Sequence, residues 1–294
     1  YETVNYDIPN MRDYYTHIKG NGEDKVTLMV YMVGSDLESD GGAASEDIAE
    51  MTAANADNIN ITLQTGGAAA WENASISDGK TERHIIKNGE LQNVENLGEA
   101  QMTSPNTLTD FIKWSASNYP ADRYELVLWN HGGGTALGFG YDEMYPDDML
   151  SLSQIGNALS DSGIKFDIVG FDACLMGTIE TAYMLEPYAD YLVASEEYEP
   201  GTGWYYSEWL KNLSDNTSMP TVEIGKKIVE DYINGPDSSF FDSNTLSIVD
   251  LREIPYTYSK LCETMQQEEG VLDSRYSVIS QARYNAKSFG DGEY

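Results

Sequence analysis

Apolar and polar positions along the chain follow two different periods, one typical of strands and one typical of helices. Short apolar runs bounded by glycine, asparagine or proline predict buried strands. These predicted strands lie at residues 25–34, 59–67, 123–130, 165–172 and 190–197. Longer amphipathic stretches, with apolar residues three or four positions apart, predict helices. They lie at residues 104–120, 150–163 and 175–189, and a loop leading into a further helix is predicted within 35–56.

Strands and helices alternate, and this alternation predicts the fold class. Parallel strands joined by helices need right-handed crossovers, which place helices on both faces of the sheet. We therefore expect an α/β three-layer sandwich with a mostly parallel central sheet flanked by helices. Asn88 and Gly89 predict a tight hairpin turn within 82–94. Further patterns predict a strand at 244–250 and helices at 222–233, 254–268 and 271–287.

The domain organisation predicted from these patterns is simple. Residues 1–22 are rich in tyrosine and lack periodicity, which predicts a surface arm or a propeptide remnant. Residues 23–294 carry the alternating pattern and are predicted to form one domain. Its C-terminal part, which stops at SFGDGEY, is expected to be shortened or processed.

The charge of the chain limits the partners it can have. The 17 basic and 49 acidic residues give a formal net charge of −32, and such a field repels phosphate backbones and anionic membranes. We therefore expect no nucleic-acid partner and a local enrichment of cationic ligands. No apolar run approaches the length of a membrane helix, so no membrane span is predicted.

Cys174 and Cys262 are the two cysteines of the chain. They are far apart in sequence and belong to no dense cysteine framework, so each is predicted to be a free thiol. The ordinary interpretation of Cys174 is a buried structural residue, because free cysteine is among the most buried residue types. Its sequence context decides whether that interpretation holds.

Two predicted strands end in sequence with catalytic potential. ELVLWNHGGG ends in His131 and three glycines, and FDIVGFDACLMG contains Cys174. The carboxyl ends of parallel strands lie on one rim of the sheet, so the thiol and the imidazole are expected to be neighbours. An imidazole can serve as the base that a thiol needs near neutral pH. The glycines leave backbone N–H groups free to face a ligand, as an oxyanion hole requires.

Phosphate binding, dinucleotide binding and esterase activity would each require residues beside the glycine run that this chain lacks. A Walker A loop needs GKS or GKT, a dinucleotide site needs GxGxxG, and an esterase needs GxSxG. A zinc site needs more cysteine or histidine ligands than the chain can cluster, so no metal ligands are predicted. His17 and His84 lie in unpatterned or polar segments and are predicted to be structural or solvated.

VLWNHGGG and FDACLMG, with His131 preceding Cys174 by 43 positions, resemble the clostripain family of cysteine peptidases. VYMVGSDLES, QTGG and VASEEYEPGTGW also resemble that family's pattern, over roughly residues 25–250. The family shares a clan with caspases, legumain and gingipains. The resemblance implies a caspase-like (haemoglobinase-like) fold and a Cys–His dyad. It also implies that Cys174 attacks the scissile carbonyl, that His131 protonates the leaving amine, and that the N–H groups of Gly132 and Cys174 bind the oxyanion.

The resemblance further implies cleavage after arginine or lysine, which needs an acid in the specificity pocket. Asp172 lies two positions before Cys174, so strand alternation places both side chains on one side. Its carboxylate is the first candidate to pair with a basic P1 side chain, and a hydrogen-bonded turn acid is the alternative. Glu196 or Glu197 is expected to join this pocket, with only one of them pointing inward. Trp204 is expected to stack along the substrate side chain.

Two associations of the family have weaker support in this sequence. Calcium stays open as a cofactor, because SDLESDGG (35–42) and YDEMYPDD (141–148) offer oxygen ligands without EF-hand spacing. No cofactor is otherwise expected. Activation by cleavage at a basic residue between the dyad members is doubtful, because residues 132–164 contain no Lys or Arg. Arg12 and Lys19 offer basic sites in the N-terminal arm instead.

The sequence as a whole predicts a secreted or cell-envelope cysteine endopeptidase that cleaves peptides or proteins after basic residues. Its oligomeric state stays open, with a monomer favoured. One alternative is an inactive caspase-like module that binds basic peptides without turnover. Another is an acyltransferase or ligase that uses the same thiol. Retention of both Cys174 and His131 argues against the inactive module.

Overall fold

The computed structural model describes residues 15–235, 244–267 and 276–290. Its centre is a mixed sheet of eight strands in the order β4-β3-β2-β1-β5-β6-β7-β8. The strands are β1 (Val26–Val33), β2 (Asn60–Gly66), β3 (Thr81–Lys87), β4 (Glu90–Gly98), β5 (Arg123–Trp129), β6 (Phe166–Asp172), β7 (Ala189–Ala194) and β8 (Ser247–Asp250). Each strand predicted from an apolar run is present.

The middle of the sheet is parallel and both of its edges are antiparallel. Strands β2, β1, β5, β6 and β7 pair in parallel. At one edge, β3 and β4 add antiparallel strands as a hairpin, and at the other edge β8 runs antiparallel to β7. Asn88 and Gly89 turn the hairpin with φ of 52° and 70°, as the predicted two-residue turn requires. The α/β prediction is confirmed, with more antiparallel pairing than the alternation alone indicated.

Helices cover both faces of this sheet. Their bounds are α1 (Ser35–Ser39), α2 (Ala43–Ala53), α3 (Pro105–Asn118), α4 (Gly134–Leu137), α5 (Leu152–Ser162), α6 (Ile179–Leu185), α7 (Tyr206–Asp215), α8 (Thr221–Asn234), α9 (Ile254–Gln267) and α10 (Tyr276–Asn285). Helices α2, α7 and α8 pack on one face. Helices α3, α5 and α6 and the start of α9 pack on the other.

Strand alternation explains why the chain has two apolar cores. In β1, Leu28 and Val30 face the core under α2, while Met29 and Tyr31 face the core under α3. All four side chains are fully buried. A central parallel strand covered on both faces therefore appears in the sequence as a continuous apolar run, not as an alternating pattern.

Helices α6 and α7 differ most from the sequence-based expectation, and the short helix α4 was also not predicted. Helix α6 begins at Ile179, four residues later than predicted, because Leu175 has a left-handed backbone with φ 62° and stops the chain from entering a helix directly after β6. Helix α7 was not predicted. It begins after Tyr205 without a side-chain cap, so the usual start signal is missing from the sequence.

The residues that precede β1 lie at the amino-terminal edge of the sheet. The Thr16 N–H donates to Asp190 at 2.7 Å, and the Lys19 ammonium pairs with Asp122 at 2.7 Å. The expectation for residues 1–14, including Arg12, lies outside the described residues. Within the described ranges, no helix combines the length and apolar character needed to cross a bilayer.

Candidate active site

The candidate site lies at the carboxyl edge of the sheet, where β5 and β6 end side by side. Trp129 of β5 is directly opposite Asp172 of β6 in the parallel register. His131 lies two residues after Trp129, and Cys174 lies two residues after Asp172. The register therefore brings both to the same level beyond the ends of the strands. Both line one cavity of about 280 Å³. The structure therefore places the two predicted catalytic residues together.

Cys174 is presented by a sharp turn directly after β6. Ala173 before it is buried, and Leu175 after it has φ of 62°. This left-handed conformation is rare for a residue with a branched side chain, and a strained backbone of this kind is typical of functional sites. The Leu175 N–H donates to the Glu197 carbonyl at 3.1 Å and fixes the turn. The thiol itself is partly buried at the wall of the cavity.

His131 is held by an acid that the sequence analysis did not single out. Its Nε2 lies 2.9 Å from Oδ1 of Asp36, which belongs to the short helix after β1. A proton on Nε2 donated to Asp36 leaves Nδ1 free to accept a proton. Partial burial raises the pKa of Asp36, but hydrogen bonding to His131 and the charge of that ring outweigh it and lower the pKa overall. Asp36 thus stays ionised and orients the imidazole.

Gly132 has to be glycine because its backbone passes close to that of Cys174. A β-carbon on Gly132 would overlap the Cys174 carbonyl oxygen. Hydrogen bonds from Gly133 N–H to the Gly138 carbonyl and from Gly140 N–H to the His131 carbonyl fix the loop on either side. Within the described part of the chain, the Gly132 N–H donates to no protein acceptor, so it is available to a ligand. This geometry suits the predicted oxyanion role.

The thiol of Cys174 contacts the backbone of a residue from the loop after β7. The Glu199 N–H donates to Sγ at 3.3 Å, and Sγ lies 3.8 Å from the Glu199 carbonyl oxygen. Burial raises the pKa of Cys174, and the negative charges of Asp172 and Glu197 add to this, while the Glu199 N–H opposes it. The resting state at neutral pH is therefore a thiol that needs a base to become a nucleophile.

Asp172 lies deep in the cavity, as the sequence predicted. It is 4% exposed, and its carboxylate accepts hydrogen bonds from the Trp204 N–H at 3.2 Å and from the Tyr206 hydroxyl at 2.7 Å. Gly203 leaves room for it, because a β-carbon there would lie 2.7 Å from Oδ1. Burial raises the pKa of Asp172 to about 6, since these hydrogen bonds only partly compensate for lost hydration.

Glu199 is a second acid of the same cavity, and sequence reasoning missed it. Both of its carboxyl oxygens are buried and lie beside the Asp172 carboxyl group and the Trp204 side chain. Burial and the nearby Asp172 raise its pKa well above the ordinary value. Two neighbouring buried carboxyl groups cannot both ionise cheaply without a cation. Asp172 and Glu199, called the acid pair below, are thus two buried acids of one cavity whose raised pKa values favour the protonated form.

The structure places neither Glu196 nor Glu197 in the cavity at Cys174, where the sequence predicted one of them, and the reason is local. The prediction assumed that strand alternation continues through both residues, but β7 ends at Ala194. The Glu196 carboxylate accepts from the Ser247 hydroxyl at 2.6 Å, and Glu197 accepts from the Gly290 N–H at 2.8 Å. Neither residue lines the cavity at Cys174.

The prediction that Trp204 stacks along a substrate side chain is also wrong. Its indole is 1% exposed and belongs to the apolar core under α7. The ring packs over Gly170 of β6, where a β-carbon would collide with it. Trp204 contributes its backbone N–H to Asp172 instead. Its role is therefore to position the acid, and its ring is not available to a ligand.

The two acidic loops considered for calcium have structural roles in this chain. Residues 35–42 contain the helix that supplies Asp36 and the buried Glu38, which accepts from the Ser45 hydroxyl at 2.5 Å. In residues 141–148, Asp142 is buried and accepts the Met102 N–H at 2.8 Å. Among the described residues, no group of three or more His, Cys, Asp or Glu side chains has the arrangement of a metal site. Calcium binding stays a prediction.

Fold and cavity define an α/β protein with a thiol and an imidazole at adjoining strand ends, and comparison with known proteins identifies its family. The model of the clostripain family, Peptidase C11, matches residues 30–287. This match covers most of the chain, and the chain belongs to the clostripain family. The clostripain of Hathewaya histolytica is 32% identical over 225 residues, which cover 64% of this chain and 42% of that protein. The chain thus spans less than half the length of that curated relative.

Two solved structures share the fold. One is a secreted C11 cysteine protease from Bacteroides thetaiotaomicron in complex with an irreversible peptide inhibitor, with a TM-score of 0.64 and 22% identity over 78% of this chain and 67% of that one. The other is an inactive zymogen C11 protease from Parabacteroides distasonis, with a TM-score of 0.60 and 23% identity over 79% of this chain and 63% of that one. These similarities confirm the caspase-like α/β sandwich expected from the sequence.

Proposed function

We propose that this chain is a cysteine endopeptidase that hydrolyses peptide bonds after arginine or lysine with Cys174 and His131 as a dyad. One observation carries the proposal. The cavity that holds the thiol also holds the acid pair, and none of the described residues that line it is a Lys or Arg that could neutralise those carboxyl groups. A guanidinium or ammonium group entering the cavity would supply the missing charge.

The chemistry follows from the positions of the two catalytic groups. His131 takes the proton from the Cys174 thiol, and the thiolate attacks the carbonyl carbon of the P1 residue. The oxygen of the tetrahedral intermediate accepts hydrogen bonds from the N–H groups of Gly132 and Cys174. His131 then gives its proton to the leaving amine as the C–N bond breaks. Water, deprotonated by His131, hydrolyses the thioester, and the free carboxylic acid and thiol are restored.

Asp36 supports this cycle without touching the substrate. Its carboxylate fixes the His131 ring through Nε2 and stabilises the imidazolium that forms after proton transfer. The ion pair is half-exposed, with side-chain exposures of 38% and 47%, so solvent weakens its effect. Asp36 is therefore a positioning residue whose contribution is modest.

Binding of the P1 side chain ionises the acid pair. In the unliganded cavity, the raised pKa values of Asp172 and Glu199 keep at least one carboxyl group protonated near pH 6. A bound cation favours the charged form of both groups, so binding releases a proton. This coupling distinguishes basic from neutral P1 residues, because a neutral side chain would leave the carboxyl groups protonated and unpaired.

A fluorogenic peptide panel that varies only the P1 residue tests this function. We expect cleavage after Arg and Lys and none after Ala, Leu or Asp, with all cleavage lost in Cys174→Ala. Binding of the Arg peptide to Cys174→Ala together with no cleavage by the parent protein would favour the binding module. Transfer of the acyl group to an added amine in preference to water would favour the acyltransferase. We also propose secretion, supported by the relative described as secreted.

A further inference from the structure

A second, larger depression adjoins the catalytic cavity. Its volume is about 940 Å³, and it begins where the catalytic cavity ends along the loops that follow β5 and β6. Residues 129–131 and 172–174 line the catalytic cavity, whereas Gly133, Gly134, Leu175 and Thr178 line the depression. We call it the flanking groove. A peptide whose P1 side chain enters the catalytic cavity has to continue across this groove on one side of the scissile bond.

The other wall of the flanking groove is the C-terminal segment of the same chain, residues 276–290. Arg283, Lys287 and Phe289 of this segment line the groove. Its end is attached at the active site, where the Gly290 N–H donates to the Glu197 carboxylate at 2.8 Å. A β-carbon on Gly290 would lie 3.4 Å from Leu175 and 3.5 Å from the Tyr198 hydroxyl. Leu175 and Tyr198 flank Cys174 and its cavity, so the segment reaches the region a substrate needs.

The charges across the groove are complementary. Glu180 and Glu196 belong to the wall on the sheet side, and Arg283 and Lys287 belong to the segment. Among the described residues, no ion pair within 4.0 Å joins the two walls. The attraction therefore acts across a gap of more than contact distance, where water screens it in part. Such a contact holds the segment in place while leaving it displaceable.

The packing of the segment agrees with weak attachment. Helix α10 has no buried residues, in contrast to α9, which begins in the core with Ile254. Little apolar area would be exposed if residues 276–290 moved away, so the cost of displacement is small. The N-terminal residues 15–24 offer no comparable contact, because they are bound at the opposite edge of the sheet.

We propose that the flanking groove binds the stretch of substrate next to its P1 residue, and that residues 283–290, which form one wall of this groove, compete with the substrate for the opposite wall. The proposal rests on the proposed endopeptidase function. It assigns the groove a preference for peptides with basic residues beside the cleavage position, because Glu180 and Glu196 face that stretch. It also gives a source of restraint that needs no cleavage between His131 and Cys174, where residues 132–164 carry no Lys or Arg.

Charge reversal in the full chain tests the competitor. Arg283→Glu with Lys287→Glu places four acids in the groove, two on each wall, and is expected to release the segment. The matched control is Lys211→Glu with Lys226→Glu, which makes the same change of charge at exposed positions on α7 and α8. We expect the first variant to lower KM for a basic P1 peptide about fivefold with kcat unchanged. The control is expected to keep the KM of the parent within about twofold.

A binding measurement separates this inference from the proposed function. The probe is a labelled peptide with the sequence of residues 283–290, RYNAKSFG, added to Cys174→Ala versions of the parent, the charge-reversed variant and the control. We expect it to bind the charge-reversed variant at least about fivefold more tightly than the parent or the control. Equal binding and equal KM in all three proteins would overturn the inference. Absence of cleavage in all three active-site-intact proteins, together with the expected binding, would overturn the proposed function alone.

Discussion

Charged groups are buried at both ends of the parallel strands, which we call the amino edge and the carboxyl edge of the sheet. The two ends stabilise these groups in different ways. At the amino edge, Arg123 and Asp167 are both fully buried and form an ion pair of 2.6 Å. The same guanidinium also donates to the Thr217 and Met219 carbonyls at 3.0 and 2.8 Å. At the carboxyl edge, Asp172 and Glu199 are buried without a cation in their cavity. The amino edge pairs its buried acid with an arginine, whereas the acid pair has no such cationic partner among the described residues that line its cavity.

This difference shows where buried charge serves structure and where it serves binding. A second pair at the amino edge, Arg252 and Asp190, is equally buried at 2.9 Å, so that edge repeats the same solution. Even there, burial raises the pKa of Glu125 to about 8, since Arg123 cannot neutralise two acids fully. Unpaired burial at the carboxyl edge costs stability in the free protein. In the proposed function, a bound basic side chain offsets that cost.

The largest expected effect comes from removing the charges of the carboxyl edge. Asp172→Asn with Glu199→Gln keeps the shape of the cavity but removes both negative charges. We expect kcat/KM for Arg and Lys peptides to fall about 1000-fold, because a bound cation would lose both charge-assisted partners. The melting temperature should stay equal or rise, since a buried carboxylate without a partner is destabilising. Steady-state kinetics measure kcat/KM, and thermal unfolding measures the melting temperature. A lower melting temperature in addition to the lower kcat/KM would contradict the comparison.

The reciprocal change at the amino edge should affect stability and leave specificity intact. Arg123→Met leaves Asp167 buried without its partner, so we expect a loss of about 3–5 kcal/mol in the free energy of unfolding. Urea unfolding measures this loss, and P1 selectivity of the remaining folded protein should match the parent. Lys211→Met is the control, because it breaks an exposed ion pair with Asp215 and should leave unfolding unchanged. Altered P1 selectivity in Arg123→Met would mean that the edges are not independent.

The raised pKa of Asp172 predicts how binding depends on pH. Its pKa of about 6 means that the ionised form, which pairs with a basic P1 group, is lost as the pH falls through 6. We expect the affinity of Cys174→Ala for an Arg peptide to fall about tenfold between roughly pH 7 and pH 5. The alanine variant excludes titration of the thiol, and the Asp172→Asn protein in the same background supplies the control. Equal affinity at both pH values would place the P1 contact elsewhere.

The smallest effect is expected from the exposed partner of His131. Asp36→Asn keeps a side chain of the same size but weakens the hold on Nε2. We expect kcat to fall about fivefold with KM unchanged, because the pair is half-exposed and solvent can replace part of its effect. Single-turnover kinetics measure the acylation step directly. A higher KM with kcat unchanged would assign Asp36 to substrate binding and not to positioning of the imidazole.

Much of the fold and the dyad could be predicted from the sequence because both depend on local pattern and register. Apolar runs marked the strands. Because β5 and β6 pair in parallel, His131 and Cys174 then had to lie at the same rim of the sheet. Asp172 followed from its distance of two residues from the thiol. These inferences needed only periodicity and strand direction.

The errors lie in the loops, where tertiary packing and not periodicity decides orientation. Glu196 and Glu197 were assigned by continuing strand alternation beyond Ala194, where the chain has already left the sheet, and Trp204 was assigned to the same wall of the pocket further along the segment. Glu199 lies in the loop after β7 and Asp36 lies in the short helix α1, and the approach of both to the cavity depends on contacts far apart in sequence. A pattern along the chain contains no signal for such contacts.

The central claim, that the acid pair of the carboxyl edge awaits a cation, is tested most directly with two peptides that differ only in charge. Calorimetric titration of Cys174→Ala compares a peptide with Arg at P1 with the same peptide carrying citrulline, its neutral isostere. We predict that the Arg peptide binds at least about 100-fold more tightly and releases protons to the buffer near pH 6. Equal affinities for the two peptides, with no proton release, would contradict the account.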